Sequence, residues 1–214
     1  MSGGRCDPRG CEQFFGPRFA RRVADRYRRH GLDRSAQLMV EFLAGRGIAG
    51  ASVLEVGGGV GEIQVELLER GAARAVNLEL SSAYDAQAGE LLQAAGLAGR
   101  AERRLHDIAA DPDAVEAADV VVLHRVVCCY PDYQRLLTAA AGHTRRLLVF
   151  SYPRYNAASR LVLTGQNLVF RLQRKRFRVF AHPPAKMLAV PRAAGFRQTL
   201  THRGPFWQVA GFER

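Results

Sequence analysis

Residues Ser52–Gly61, SVLEVGGGVG, decide the fold of this 214-residue chain. Val53, Leu54 and Val56 make a short buried strand with Glu55 near its end. A turn carrying Gly57, Gly58, Gly59 and Gly61 follows at once, and Glu62 to Arg70 reads as a helix with Ile63, Leu67 and Leu68 turned inward. Strand, glycine turn, helix is the entry of a βαβ unit, where backbone approaches a ligand closely.

Spacing sorts the candidate ligands. A dinucleotide fingerprint needs G-x-G-x-x-G; counted from Gly57, its last position falls on Glu62. What stands here is E-x-G-x-G-x-G, from Glu55 through Gly57, Gly59 and Gly61. A carboxylate beside the loop repels a pyrophosphate and attracts a ligand carrying an ammonium and a sulfonium. The pattern resembles motif I of Rossmann-like S-adenosylmethionine-dependent methyltransferases. A ligand-free strand–helix turn and a nucleotide-binding variant are the other readings of the same residues.

Outward from this stretch the chain alternates. Strands at 52–56, 74–80, 101–106, 119–123 and 146–151 are separated by helices at 60–70, 82–95, 111–117 and 131–141. That alternation predicts a doubly wound, mostly parallel α/β sheet covered on both faces. The segments 196–201 and 206–212 predict an antiparallel edge hairpin, completing seven strands. Before the first strand, residues 1–11 read as irregular, Glu12 to His30 as a helix with Phe15, Phe19, Val23 and Tyr27 on one stripe, and Asp33 as N-cap of a second helix. The expected division is a helical lid over 1–50 and a catalytic domain over 51–214, with a helical insertion at about 156–194.

Candidate site residues fall at strand ends. Glu79 ends the second strand eighteen residues after Gly61, near the spacing at which an acid accepts from ribose hydroxyls; capping the next helix is its other reading. Leu80 would pack on the adenine. His106 and Asp107 end the third strand, and His124 and Arg125 the fourth. His124 reads either as a general base or as a hydrogen-bonded strand-end histidine. Tyr152 and Arg154 follow the fifth strand; Arg154 reads as a forked clamp for a carboxylate or as a surface arginine. Cys6, Cys11, Cys128 and Cys129 do not match zinc-knuckle spacing, so no metal is expected.

Charge is uneven. The net charge is +5 over residues 1–34, −5 over 35–153 and +11 over 154–214. A cationic ligand in the middle and an anionic substrate or surface at the ends fit this pattern, as does an arginine-rich proteome. No run of about 18 apolar residues exists and the N-terminus has no apolar signal core, so a cytoplasmic protein is expected. Residues 156–178 combine Leu161, Val162, Leu163, Leu168, Val169, Phe170 and Leu172 with Arg171, Arg174, Lys175, Arg176 and Arg178. They read as a packed helix, a lid over an apolar substrate or a membrane-surface contact.

Residues 50–155 resemble the class I methyltransferase fold throughout. Within it, VVCCYPDYQRLL and TRRLLVFSYPR are similar to the corresponding regions of magnesium-protoporphyrin O-methyltransferases. The resemblance implies S-adenosylmethionine as cofactor, held by Glu55, the glycines, Glu79, Leu80, His106, Asp107 and His124. Asp107 would accept from the adenine amino group. It also implies a small-molecule methyl acceptor, most simply an oxygen, with His124, Tyr152 and Arg154 at the reacting end. Their usual motif I is D-x-G-C-G-x-G, from which Glu55 and Gly58 depart. A nucleic-acid methyltransferase using the basic flanks and a non-catalytic binding module are the competing classes. No N-P-P-Y-like tetrad follows the fourth strand, which weighs against the former. Oligomeric state is not legible in these residues.

Overall fold

The computed structural model describes residues 10, 11 and 14–214; most of the segment expected to be irregular, Cys6 included, lies outside them. Helix α1 spans Pro17–His30. The single helix expected from Glu12 is broken at Gly16, whose backbone is extended, and Pro17 opens α1 at the position where a missing N–H costs nothing. Gly31, at φ 67°, ends it. Asp33 then caps α2 (Arg34–Ala44), accepting from the Ser35 and Ala36 amides as the sequence predicts.

The alternating core follows as β1 (Ser52–Val56), α3 (Glu62–Glu69), β2 (Arg74–Glu79), α4 (Asp85–Ala94), β3 (Ala101–Leu105), β4 (Ala118–Leu123), α5 (Tyr133–Gly142) and β5 (Thr144–Pro153). The helix expected near 111–117 is only a 3₁₀ turn at Pro112–Ala114. Helices α6 (Ala157–Leu172) and α7 (Pro184–Ala193) lead to the hairpin β6 (Arg197–Arg203) and β7 (Trp207–Glu213). One seven-stranded sheet results, in the order β3-β2-β1-β4-β5-β7-β6. Strands β1 to β5 pair in parallel and β7 runs antiparallel to both β5 and β6. This is the Rossmann-like arrangement that the strand–helix alternation implies.

Side-chain alternation divides the core in two. Leu54, Val56, Val121, Leu123, Leu148 and Phe150 pack under α5 and α7. Val53, Val120, Val122, Leu147 and Val149 pack under α2, α3 and α4. Successive residues of a strand point to opposite faces, so a strand buried on both sides must be apolar throughout. From β1 the chain proceeds to β2 on one side and returns to β4 on the other. The reversal leaves a crevice beyond the C-terminal ends of β1 and β4.

Candidate active site

The crevice is built from the glycine turn upward. Gly57, Gly59 and Gly61 have φ of 66°, 57° and 80°, where a side chain is strained. A Cβ on Gly57 would also stand 2.6 Å from the Val126 side chain. The loop is pinned from β2: Glu79 accepts from the Gly59 amide at 2.8 Å and from the Leu80 amide at 2.9 Å. Asn77 accepts from the Gly58 amide at 3.2 Å. Arg103 donates to the Gly59 carbonyl at 2.9 Å and pairs with Asp85.

Across these ends lies a cavity of about 230 Å³, a space of the size that takes a small molecule or part of one. Its walls include Glu55, Gly57, Gly59, Glu79, Leu80, His106, Asp107 and His124 from the expected set. Gly61 is not on the wall; it caps α3. Tyr152 and Arg154, expected at the reacting end, lie away from the cavity. Tyr152 is buried in the core against Phe150, on the α5–α7 side of the sheet. Arg154 is exposed, and its amide donates to the Phe206 carbonyl. The cause is β7, which pairs with β5 as far as Pro153 opposite Trp207 and closes the sheet where an opening was expected.

Several wall residues carry only a structural reading, or none, in the sequence. Helix α1 contributes Phe19, Val23, Arg26 and Tyr27, and the loop after it Asp33. Arg26 stands one position from the apolar stripe that the sequence does show. Glu62 opens α3, where an acid reads simply as favourable to the helix dipole. Tyr84 closes the wall beside Gly59.

Electrostatics differ sharply around the wall. Burial pushes the Glu55 carboxyl well above the carboxylate range, with Glu62 adding to the effect. Burial likewise raises Glu62 to about 7 and raises Glu79. One oxygen each of Glu55 and Glu62 is buried without a hydrogen-bond partner among the described residues. Burial holds His124 down at about 4, so its imidazole is neutral at pH 7. Its Nε2 stands 3.0 Å from the Ser35 hydroxyl and 3.8 Å from Asp33. Burial alone would raise Asp33, but the His124 imidazole, the Ser35 hydroxyl and Arg125 outweigh it and leave the carboxyl low. Arg125 pairs with Asp33 at 2.9 Å, lies 4.9 Å above the Trp207 ring and occupies the left-handed region at φ 60°. Its amide donates to Ser151, and its Nε is buried without a partner among the described residues. Asp107 accepts from Tyr130 at 2.9 Å and from the amides of Ala109 and Ala110. The Sγ atoms of Cys128 and Cys129 are 3.6 Å apart.

A mostly parallel sheet with a glycine turn under a small, acid-lined crevice defines a Rossmann-like fold with room for a ligand. A family profile described as methyltransferase domain matches residues 26–204. The chain belongs to that family and is a methyltransferase. Among solved structures, it is similar to magnesium protoporphyrin IX methyltransferase from Synechocystis with bound S-adenosylhomocysteine, at 18% identity and a TM-score of 0.72, covering 97% of this chain and 100% of that one. An O-methyltransferase family protein from Burkholderia thailandensis matches at 20% identity and a TM-score of 0.68, over 92% of this chain and 60% of its own. An O-methyltransferase family 2 protein from Planctomyces limnophilus, in complex with apigenin, matches at 19% and 0.60, over 86% and 62%. At such identities the likeness is one of fold. No curated protein matches the sequence.

Proposed function

We propose that this methyltransferase uses S-adenosylmethionine to methylate an oxygen of a small acceptor, a carboxylate by preference. When bound, S-adenosylmethionine supplies a methyl group made electrophilic by its sulfonium. The wall chemistry fits that group: carboxylates for ribose hydroxyls and an ammonium, and a guanidinium for a carboxylate. Glu79, which holds the glycine turn, would accept from the ribose, Leu80 would flank the adenine, and Asp107 would accept from the adenine amino group. The orphaned oxygen of Glu62 would hold the ammonium. Arg26, on the same wall, would take the amino-acid carboxylate.

The observation that carries the acceptor reading is Arg125 beside His124. Arg125 lines the cavity with its Nη2 paired to Asp33 and its Nε unpartnered among the described residues, so a guanidinium with one uncommitted donor stands where a carboxylate acceptor would be oriented. His124, neutral to about pH 4, is a poor base for a phenol or an amine. A carboxylate is ionised at neutral pH and needs orientation and desolvation instead of a base. Helix α1 serves as a lid, and the insertion carrying α6 and α7 selects the acceptor.

The pH–rate profile tests this with a carboxylate and a phenol acceptor. With S-adenosylmethionine saturating, so that titration of Glu62 near 7 does not limit its binding, turnover of the carboxylate should show no dependence on His124 from about pH 6 to 8, a range above the carboxylate pKa. A rate that climbs through that range and loses its climb in His124→Gln would sink the carboxylate reading. A steep fall of RNA affinity with salt, together with methylated RNA, would replace it with a nucleic-acid function.

A further inference from the structure

Helix α6 carries two apolar faces. The inner one, Leu163 and Phe170, is buried in an aromatic cluster with Phe14 and Phe177, whose rings stack at 4.5 Å. Phe15 and Cys129 pack against this cluster and also line the cavity, so α6 stands one layer behind the wall of the site. The outer face presents Leu161 (74% exposed), Val162 (58%), Leu168 (57%), Val169 (48%) and Leu172 (75%). At about 100° per residue these five fall, with Gly165 between them, in one arc of about 120°. Exposed apolar residues are ordinary when scattered; five contiguous ones mark a contact surface.

Charge decides what that surface meets. Arg160 and Arg171 are exposed along one edge of the arc, and Arg174 and Lys175 follow at its end. Glu213 is the only acid from residue 154 onward. A second copy docked antiparallel on this face would bring arginine edge against arginine edge, and residues 154–212 carry no acid to offset them. A nucleic acid would find the cations but gain nothing from the leucines. An anionic lipid surface satisfies both, with apolar side chains in the acyl–headgroup boundary and guanidiniums on phosphates. Among the described residues no helix is long and apolar enough to cross a membrane, so the contact lies in the plane of the surface.

We propose that α6 is an interfacial helix that seats this enzyme on a bilayer bearing anionic headgroups. The proposal stands on the helix and not on the acceptor, so it survives or fails apart from the methylation chemistry.

Co-sedimentation tests it, using vesicles of phosphatidylglycerol mixed with phosphatidylcholine and vesicles of phosphatidylcholine alone. The full chain should pellet with the mixed vesicles far more than with the neutral ones, and added salt should weaken binding. The triple variant Leu161→Gln, Leu168→Gln, Leu172→Gln should bind the mixed vesicles more than about tenfold less. Its melting temperature and its stabilisation by S-adenosylhomocysteine should match the parent, since all three side chains already face solvent. A second variant, Arg160→Gln, Arg171→Gln, Arg174→Gln, should lose the preference for anionic vesicles while keeping the apolar arc. A chain that stays in the supernatant with both vesicles, binds both equally, or binds unchanged in the leucine variant overturns the proposal. So does light scattering that finds a dimer split by the leucine variant with no vesicle binding in either form.

Discussion

The two halves of the sheet contrast in what their C-terminal edge does. At β1 and β4 the chain departs in opposite directions, and the edge stays open over a cavity walled by Gly57, Glu79 and His124. At β5 the next strand in space, β7, runs antiparallel and pairs through Pro153, so the edge is filled by protein. Both halves end strands on polar and aromatic residues of the kind that carry chemistry. Among the described residues, the half containing the reversal of strand order holds the cavity. Residue type at a strand end therefore nominates a site, and the neighbouring strand's direction grants or denies it.

The contrast is broken most severely at the glycine turn. Gly57→Ala forces a Cβ into a left-handed residue and onto Val126. Stability should fall by about 2–4 kcal/mol, and calorimetric binding of S-adenosylhomocysteine should be lost. Glu79→Ala comes next: affinity should drop at least about tenfold, the loss of a charge-assisted hydrogen bond. An unchanged affinity would separate Glu79 from the ribose and leave it only its loop-pinning bonds. Arg26→Ala should weaken S-adenosylhomocysteine by about tenfold yet leave 5′-methylthioadenosine, which lacks the amino-acid end, untouched. Equal loss for both ligands would place Arg26 elsewhere.

Melting temperature against pH sharpens the same comparison. Below pH 6.5 the unfolded chain takes a proton that buried His124 refuses until about 4, so this group lowers stability as pH falls through that window. Glu62 has the opposite sign. Its carboxyl, held up to about 7, keeps a proton that the unfolded chain loses above 4.5, so stability falls as pH rises. Glu55 acts in the direction of Glu62. His124→Gln should therefore gain stability relative to the parent near pH 4, and Glu62→Gln near pH 7. Matching curves for parent and variants would show that neither group is buried as described.

The smallest effects belong to the closed half. Tyr152→Phe and Arg154→Ala should leave affinity for S-adenosylhomocysteine and turnover within about twofold, as expected of residues away from the ligand. A large fall in turnover with either would reopen that edge.

Strand positions, the parallel core and the Asp33 cap were legible because they follow from local patterning and side-chain periodicity. So was the glycine turn, because left-handed backbone and close approach restrict a position to one residue type. The break at Gly16 and the 3₁₀ turn at Pro112 were legible in principle, since glycine and proline mark them, but local propensity leaves the length of each helix open. Arg26, Glu62 and the Arg125–Asp33 pair were hidden, because each becomes a site residue only when a distant element folds across it. In the sequence by itself lay the sheet, the turn and the acid at the end of β2, all products of neighbouring residues. The tertiary structure alone decided which strand ends open onto a cavity and which histidine stays neutral, since burial and strand direction are set by parts of the chain far apart in sequence.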